Sequence, residues 1–194
     1  MNVVYHLLFA LWGFLSGSIL FCKWVPKWGM QIDVCTLSKD GNPGASNVFI
    51  HCGIPMGTCC LLLDLFKGFA PTFAATMLLG SEGDLVPLVV VAPALGHAVA
   101  PFDGFRGGKC IAVIFGVLLG TVTETWTGWI LVVLYLLFFA VVRLRPNRIC
   151  SIVTYSLFAA TAPLILFLKG QFPLGIGYFL LAFIALLRHL RSRA

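Results

Sequence analysis

The sequence predicts an all-α protein that crosses a membrane about seven times, and three observations carry that prediction. Of 194 residues, 60% are hydrophobic and 10% charged, with a mean hydropathy of +1.00, a composition that leaves no polar skin for a soluble globule. Apolar stretches recur along the chain at lengths near the roughly 20 residues that a helix needs to span a bilayer. The basic residues fall between those stretches in a pattern that places most of them on one side.

The first stretch, Val3 to Cys22, lacks a basic residue ahead of it and is followed by Lys23 and Lys27. That order is the reverse of a secretory signal, so this stretch is expected to remain as the first span. Ile54 to Leu79 is long, and a break is expected near Gly68 and Pro71. Leu85 to Pro101 and Cys110 to Val122 are shorter than a simple span and read as tilted or re-entrant pieces. Trp126 to Val142, Ile149 to Leu168 and Pro173 to Leu187 complete the seven. Residues 1–194 are thus expected to form one membrane-embedded domain.

Eleven of the 13 basic residues, Lys23, Lys27, Lys39, Arg106, Lys109, Arg143, Arg145, Arg148, Arg188, Arg191 and Arg193, fall on one side of this topology. By the positive-inside rule that side is cytoplasmic, which puts the N-terminus outside and the C-terminus inside. Glu82, Asp84, Glu124 and Lys169 fall on the other side, and Lys67 lies within a span. The net charge of +6 then reflects topology and anionic headgroups rather than nucleic acid, for which a soluble basic face with stacking aromatics would be needed. The seven cysteines form no CxxC pair and no ligand quartet, so neither a disulfide framework nor a metal site is expected.

Two of the basic-side loops carry the chemistry. The longest polar stretch, SKDGNPGASN from Ser38 to Asn47, is turn-rich and can aim several backbone N–H groups at one point. Ser46 or Asn47 could equally serve as an ordinary N-cap. The second loop lies in GHAVAPFDGFRGGKCIA, Gly96 to Ala112, where Gly107 and Gly108 allow backbone N–H groups to approach an anion and Lys109 neutralises it. Both loops face the same side, so with His97 and Arg106 they form a candidate site for a phosphorylated substrate. Asp64 and Lys67, three apart in LLDLFKG, either pair with each other or support that site.

Four motifs, SGSILF (Ser16 to Phe21), GNPGASN (Gly41 to Asn47), LLLDLFKG (Leu61 to Gly68) and GHAVAPFDGFRGGKCIAV (Gly96 to Val113), resemble in order and spacing the bacterial acyl-phosphate:glycerol-3-phosphate acyltransferases, the PlsY family. The resemblance covers nearly the whole chain. It implies a seven-span enzyme of the bacterial inner membrane, with its active-site loops in the cytoplasm and a place in phospholipid biosynthesis. The implied reaction moves an acyl group from acyl phosphate to the 1-hydroxyl of sn-glycerol 3-phosphate, giving lysophosphatidic acid and inorganic phosphate. Lys109, His97 and Asp40 take the catalytic positions. Gly41, Asn42, Gly44, Asn47, Arg106, Gly107, Gly108 and His189 take the substrate-binding ones. Membrane lipids and the soluble enzyme that makes acyl phosphate are the expected partners, and no cofactor or metal is expected.

The chain departs from the family pattern at four places. Asp40 stands where the family has Ser, and Ile50 where it has a phosphate-binding Arg, for which His51 or Lys39 could substitute. Val99 and Ala100 replace a Phe-Pro, and the C-terminal HxxN motif is reduced to His189 with Ser192. These departures leave open an acyltransferase for another polyol phosphate, or a non-enzymatic membrane protein or transporter on the same scaffold.

Overall fold

The computed structural model describes residues 2–191, so Ser192 and Arg193 lie outside the described residues. In chain order the helices are α1 (Asn2–Gly17), α2 (Phe21–Met30), α3 (Val34–Leu37), α4 (Ala45–Leu79), α5 (Val86–Val99), α6 (Ile111–Gly120), α7 (Trp129–Tyr135), α8 (Asn147–Leu168) and α9 (Phe172–Arg191). A 3₁₀ turn at Pro101–Asp103 follows α5, and a π-helical turn at Leu136–Val141 extends α7. Among the described residues there is no β-strand.

All seven predicted apolar stretches are helical, but not all have the length of a span. Among the described residues, four segments are long and apolar enough to cross a membrane: α4, Val86–Asp103, α8 and α9. The bent pair α1 and α2 makes a fifth. At 10 residues, α6 is about 15 Å long, half of the roughly 30 Å hydrocarbon core. Together with Trp129–Val141 it remains below span length.

Two breaks differ from the expectation. The first stretch does not run on to Cys22: it stops at Gly17 and resumes as α2 after a 44° bend, so Lys23 and Lys27 sit on a helix rather than in a loop. In α4 the backbone breaks at Gly53 (φ 79°, ψ 177°), not at Gly68 and Pro71, dividing it into residues 45–52 and 54–79. The positive φ favours glycine. Gly68 serves another purpose, because a Cβ there would collide with Val113 O of α6, and one on Gly116 would collide with Leu65 O of α4. Without water to drive helix association, such close backbone approach is what joins membrane helices.

Gly17 against Pro93 and Gly96 against Phe14 bring α1 and α5 together in the same way. A core of Val90, Ile114, Tyr155, Phe158, Leu166 and Tyr178 binds α5, α6, α8 and α9. Gly116→Ala should therefore force α4 and α6 apart. The expected loss is about 1–3 kcal/mol, the range for overpacking a filled interior, read as a lower thermal midpoint in detergent.

The packing gathers the helix ends into two chemically distinct ends of the bundle. At one, Lys23 pairs with Asp103, Lys109 with Asp40, and Arg148 donates to the carbonyls of His189 and Leu190 at the end of α9. At the other, Ser81 donates to Glu124 and Gln171 donates to the Glu124 carbonyl.

Candidate functional site

The basic end frames a cavity of about 480 Å³ between α4, α6 and α7. Its mouth is polar, lined by Asn42, Gly44, Ser46, Asp64, His97 and Lys109. Its body is apolar, walled by Leu65, Val113, Phe115, Leu119, Trp129 and Val132 among others.

Lys109 is held by an ion pair: its Nζ lies 2.7 Å from Asp40 Oδ2. The other Asp40 oxygen accepts from Asn47 Nδ2 at 3.0 Å and from the Asn42 N–H at 3.2 Å, an Asx turn that shapes the loop. Asn47 also donates to Asn42 O at 2.9 Å, and Gly41 takes the left-handed φ of 61° that the turn requires. Burial alone would raise the Asp40 pKa. The hydrogen bonds from Lys109 and Asn47, the Lys109 charge and the Asn42 N–H together outweigh it and hold the carboxyl below its ordinary value of 3.8. A depressed carboxyl contributes stability that is fully present above its unfolded value, so this tie is intact above about pH 4 and lost as the pH falls below that.

Gly107 and Gly108 are required by close packing against the end of α5. The Gly108 N–H donates to His97 O at 3.1 Å. A Cβ on Gly107 would collide with His97 O, and one on Gly108 with His97 Nε2, so only glycines let the loop lie against the end of α5. Their carbonyls accept from Arg188, whose Nε reaches Gly108 O at 3.0 Å and whose second guanidinium nitrogen reaches Gly107 O. The sequence read Arg188 only as a topological anchor. Its spacing gave no sign that α9 folds back onto this loop.

Behind the mouth lies a buried polar chain. Lys67 Nζ pairs with Asp64 at 2.8 Å, donates to Ile19 O at 2.5 Å and donates to His97 Nδ1 at 2.9 Å. An ammonium can only donate, and two of its hydrogen bonds go to Ile19 O and His97 Nδ1 while its charge meets Asp64. His97 Nδ1 is thereby an acceptor, which leaves the proton of the neutral ring on Nε2, facing Gly108. The Ile19 carbonyl belongs to the break between α1 and α2, so the irregular backbone is satisfied from α4. Cys22 Sγ donates to the other Asp64 oxygen at 3.1 Å.

Of the predicted residues, Asn42, Gly44, His97 and Lys109 line the cavity, while Asp40, Gly41, Asn47, Gly107 and Gly108 hold them from outside. Arg106 is exposed and does not line it. His189 is buried beneath the site, its Nδ1–H donating to Ala185 O and its ring packed on Tyr155. Ile50 is 72% exposed, and neither it nor Lys39 nor His51 lines the cavity. Asp103, unremarked in the sequence, accepts from Lys23 at 2.5 Å and from Trp24 Nε1 at 2.9 Å, fixing α2 to the loop that leads to Lys109. An acidic residue amid the basic positions of that loop was the available signal.

Fold and cavity together define a helical integral membrane protein with a polar, cation-bearing mouth above an apolar chamber, the class of site that holds an amphiphile by its head. The chain belongs to the glycerol-3-phosphate acyltransferase family, whose family model matches residues 7–193. It is 33% identical over 183 residues to "Glycerol-3-phosphate acyltransferase 2" of Thermotoga maritima, covering 94% of this chain and 88% of that one. With the glycerol-3-phosphate acyltransferase of Thermotoga petrophila it shares 42% identity over 111 residues, 57% of this chain and just over half, 56%, of that relative's length. The fold is similar to crystal structures of PlsY, an integral membrane glycerol 3-phosphate acyltransferase, at 26% identity. Its glycerol 3-phosphate form matches with a TM-score of 0.78, over 95% of this chain and 88% of that one, and its lysophosphatidic acid form with 0.76.

Proposed function

We propose that this protein transfers an acyl group from acyl phosphate to the 1-hydroxyl of sn-glycerol 3-phosphate, releasing lysophosphatidic acid and inorganic phosphate for phospholipid synthesis. The observation that carries the reading is the joining of the Lys109 mouth to the apolar chamber, which suits a ligand with a phosphate head and an acyl chain. The α6 wall, about 15 Å long, matches the depth of one bilayer leaflet. Family membership and the two ligand forms of the related PlsY structure support the same substrate and product.

The acceptor oxygen attacks the carbonyl carbon of the mixed anhydride. A carbon–oxygen ester bond forms, the bond from that carbon to the phosphate oxygen breaks, and phosphate leaves with the electron pair. Lys109 neutralises the charge that grows on the leaving phosphate, and His97 Nε2–H donates a hydrogen bond from the end of α5. The departing phosphate, a stronger base than a carboxylate, takes the hydroxyl proton. The anhydride is already activated, and positioning with charge neutralisation does the rest without a covalent enzyme intermediate.

The basic end of the bundle would face the cytoplasm of a bacterial cell, where the soluble acyl-phosphate-producing enzyme delivers the donor. Purified protein given acyl phosphate should release phosphate only with glycerol 3-phosphate present, with lysophosphatidic acid appearing in equal amount by mass spectrometry. Phosphate release without acceptor, or faster transfer to another polyol phosphate in a panel, would overturn the assignment.

A further inference from the structure

We infer that Asp40 is an internal anion seated on Lys109 where a substrate phosphate binds, so that substrate enters by displacing a carboxylate of the protein itself. This rests on the reading above that Lys109 meets a phosphate. The carboxylate is held by an ammonium, a side-chain amide and a backbone N–H, converging from two loops at the cavity mouth. That donor set is one that receives an oxyanion, and a side chain already occupies it.

Comparison with the other ion pairs shows why this one can open. The side chains of Asp64 and Lys67 are only 3% and 2% exposed. Asp103 is likewise buried, at 1%, and does not line the cavity. Asp40 and Lys109 are 24% and 18% exposed, and Lys109 lines the mouth. Water can therefore take up the released carboxylate as an incoming anion takes its place.

The exchange sets a charge threshold. A carboxylate carries one negative charge and two acceptor oxygens, whereas a phosphate monoester near neutral pH carries about −1.5 to −2 and three. A phosphate monoester gains on Lys109 what a carboxylate or other monoanion cannot, so Asp40 selects for the more highly charged head and weakens the hold on all of them. A partly exposed ion pair competing in this way should weaken anion binding by about fivefold.

The test is isothermal titration of inorganic phosphate and of glycerol 3-phosphate into the full chain in detergent, comparing the natural protein with Asp40→Asn and Asp40→Ser. Both variants should bind inorganic phosphate about fivefold more tightly and should also admit acetate, with Lys109→Ala abolishing the gain. Unchanged or weaker phosphate affinity in the two variants, with thermal midpoints near that of the natural protein, would overturn the inference. Lysophosphatidic acid formation is assayed separately. Tighter phosphate binding without that product would sink the proposed reaction and leave the anion exchange standing.

Discussion

Lys109→Ala should lose lysophosphatidic acid formation by about 10²–10³-fold in kcat, the scale on which one positioned electrostatic donor acts. The variant removes the cation from the cavity mouth and also leaves Asp40 unneutralised there, held only by Asn47 and Asn42. The second effect should repel phosphate and raise KM as well. The double variant Asp40→Ser with Lys109→Ala separates the two, because it should recover KM while kcat stays low. Steady-state rates by phosphate release and product mass measure both quantities, and normal turnover in Lys109→Ala would remove Lys109 from the mechanism.

Lys67→Met is expected to be the most destabilising single change. It strands the Asp64 carboxylate and His97 Nδ1 and takes from the Ile19 carbonyl one of its two donors, leaving it the Phe21 N–H. Breaking one partner out of a buried ion pair costs about 3–5 kcal/mol, most of it the penalty of an uncompensated charge. A lower thermal midpoint in detergent is the readout. Converting both partners, Asp64→Asn with Lys67→Met, should return much of the stability, while the loss of Nδ1 support leaves the His97 tautomer free to change and activity low. Equal midpoints for the single and double variants would show that the charge is not the source of the cost.

Much of the fold was legible because a bilayer demands long apolar runs, and such runs are visible without any long-range information. The Ile54 to Leu79 span begins one residue after the structure breaks at Gly53. The bend after Gly17 was hidden because Ser18, Ile19 and Leu20 look like membrane residues, and the partner that stabilises their irregular backbone, Lys67, lies 48 residues away from Ile19. The site was legible as two loops, because turn residues and a glycine pair announce themselves locally. What joins them was not. The Asp40 to Lys109 bond spans 69 residues and the Arg188 to Gly108 bond 80, and no spacing rule reaches that far. The glycines show the limit of local reading: their presence was visible, but not how near the His97 backbone lies to them.

The placement of Lys67 bears on how the chain enters its membrane. Asp64 and Lys67 sit one helical turn apart on α4, so they can cancel each other's charge before any other helix is present. α4 can thus leave the insertion machinery as a neutral dipole rather than a bare ion. The break after α1, made first, has only the local Phe21 N–H on its Ile19 carbonyl until α4 brings the Lys67 ammonium, and α5 brings His97 last. The same ammonium that orients a histidine in the finished protein therefore also acts as a latch, closing in the order of synthesis and tying three successively inserted helices into one body.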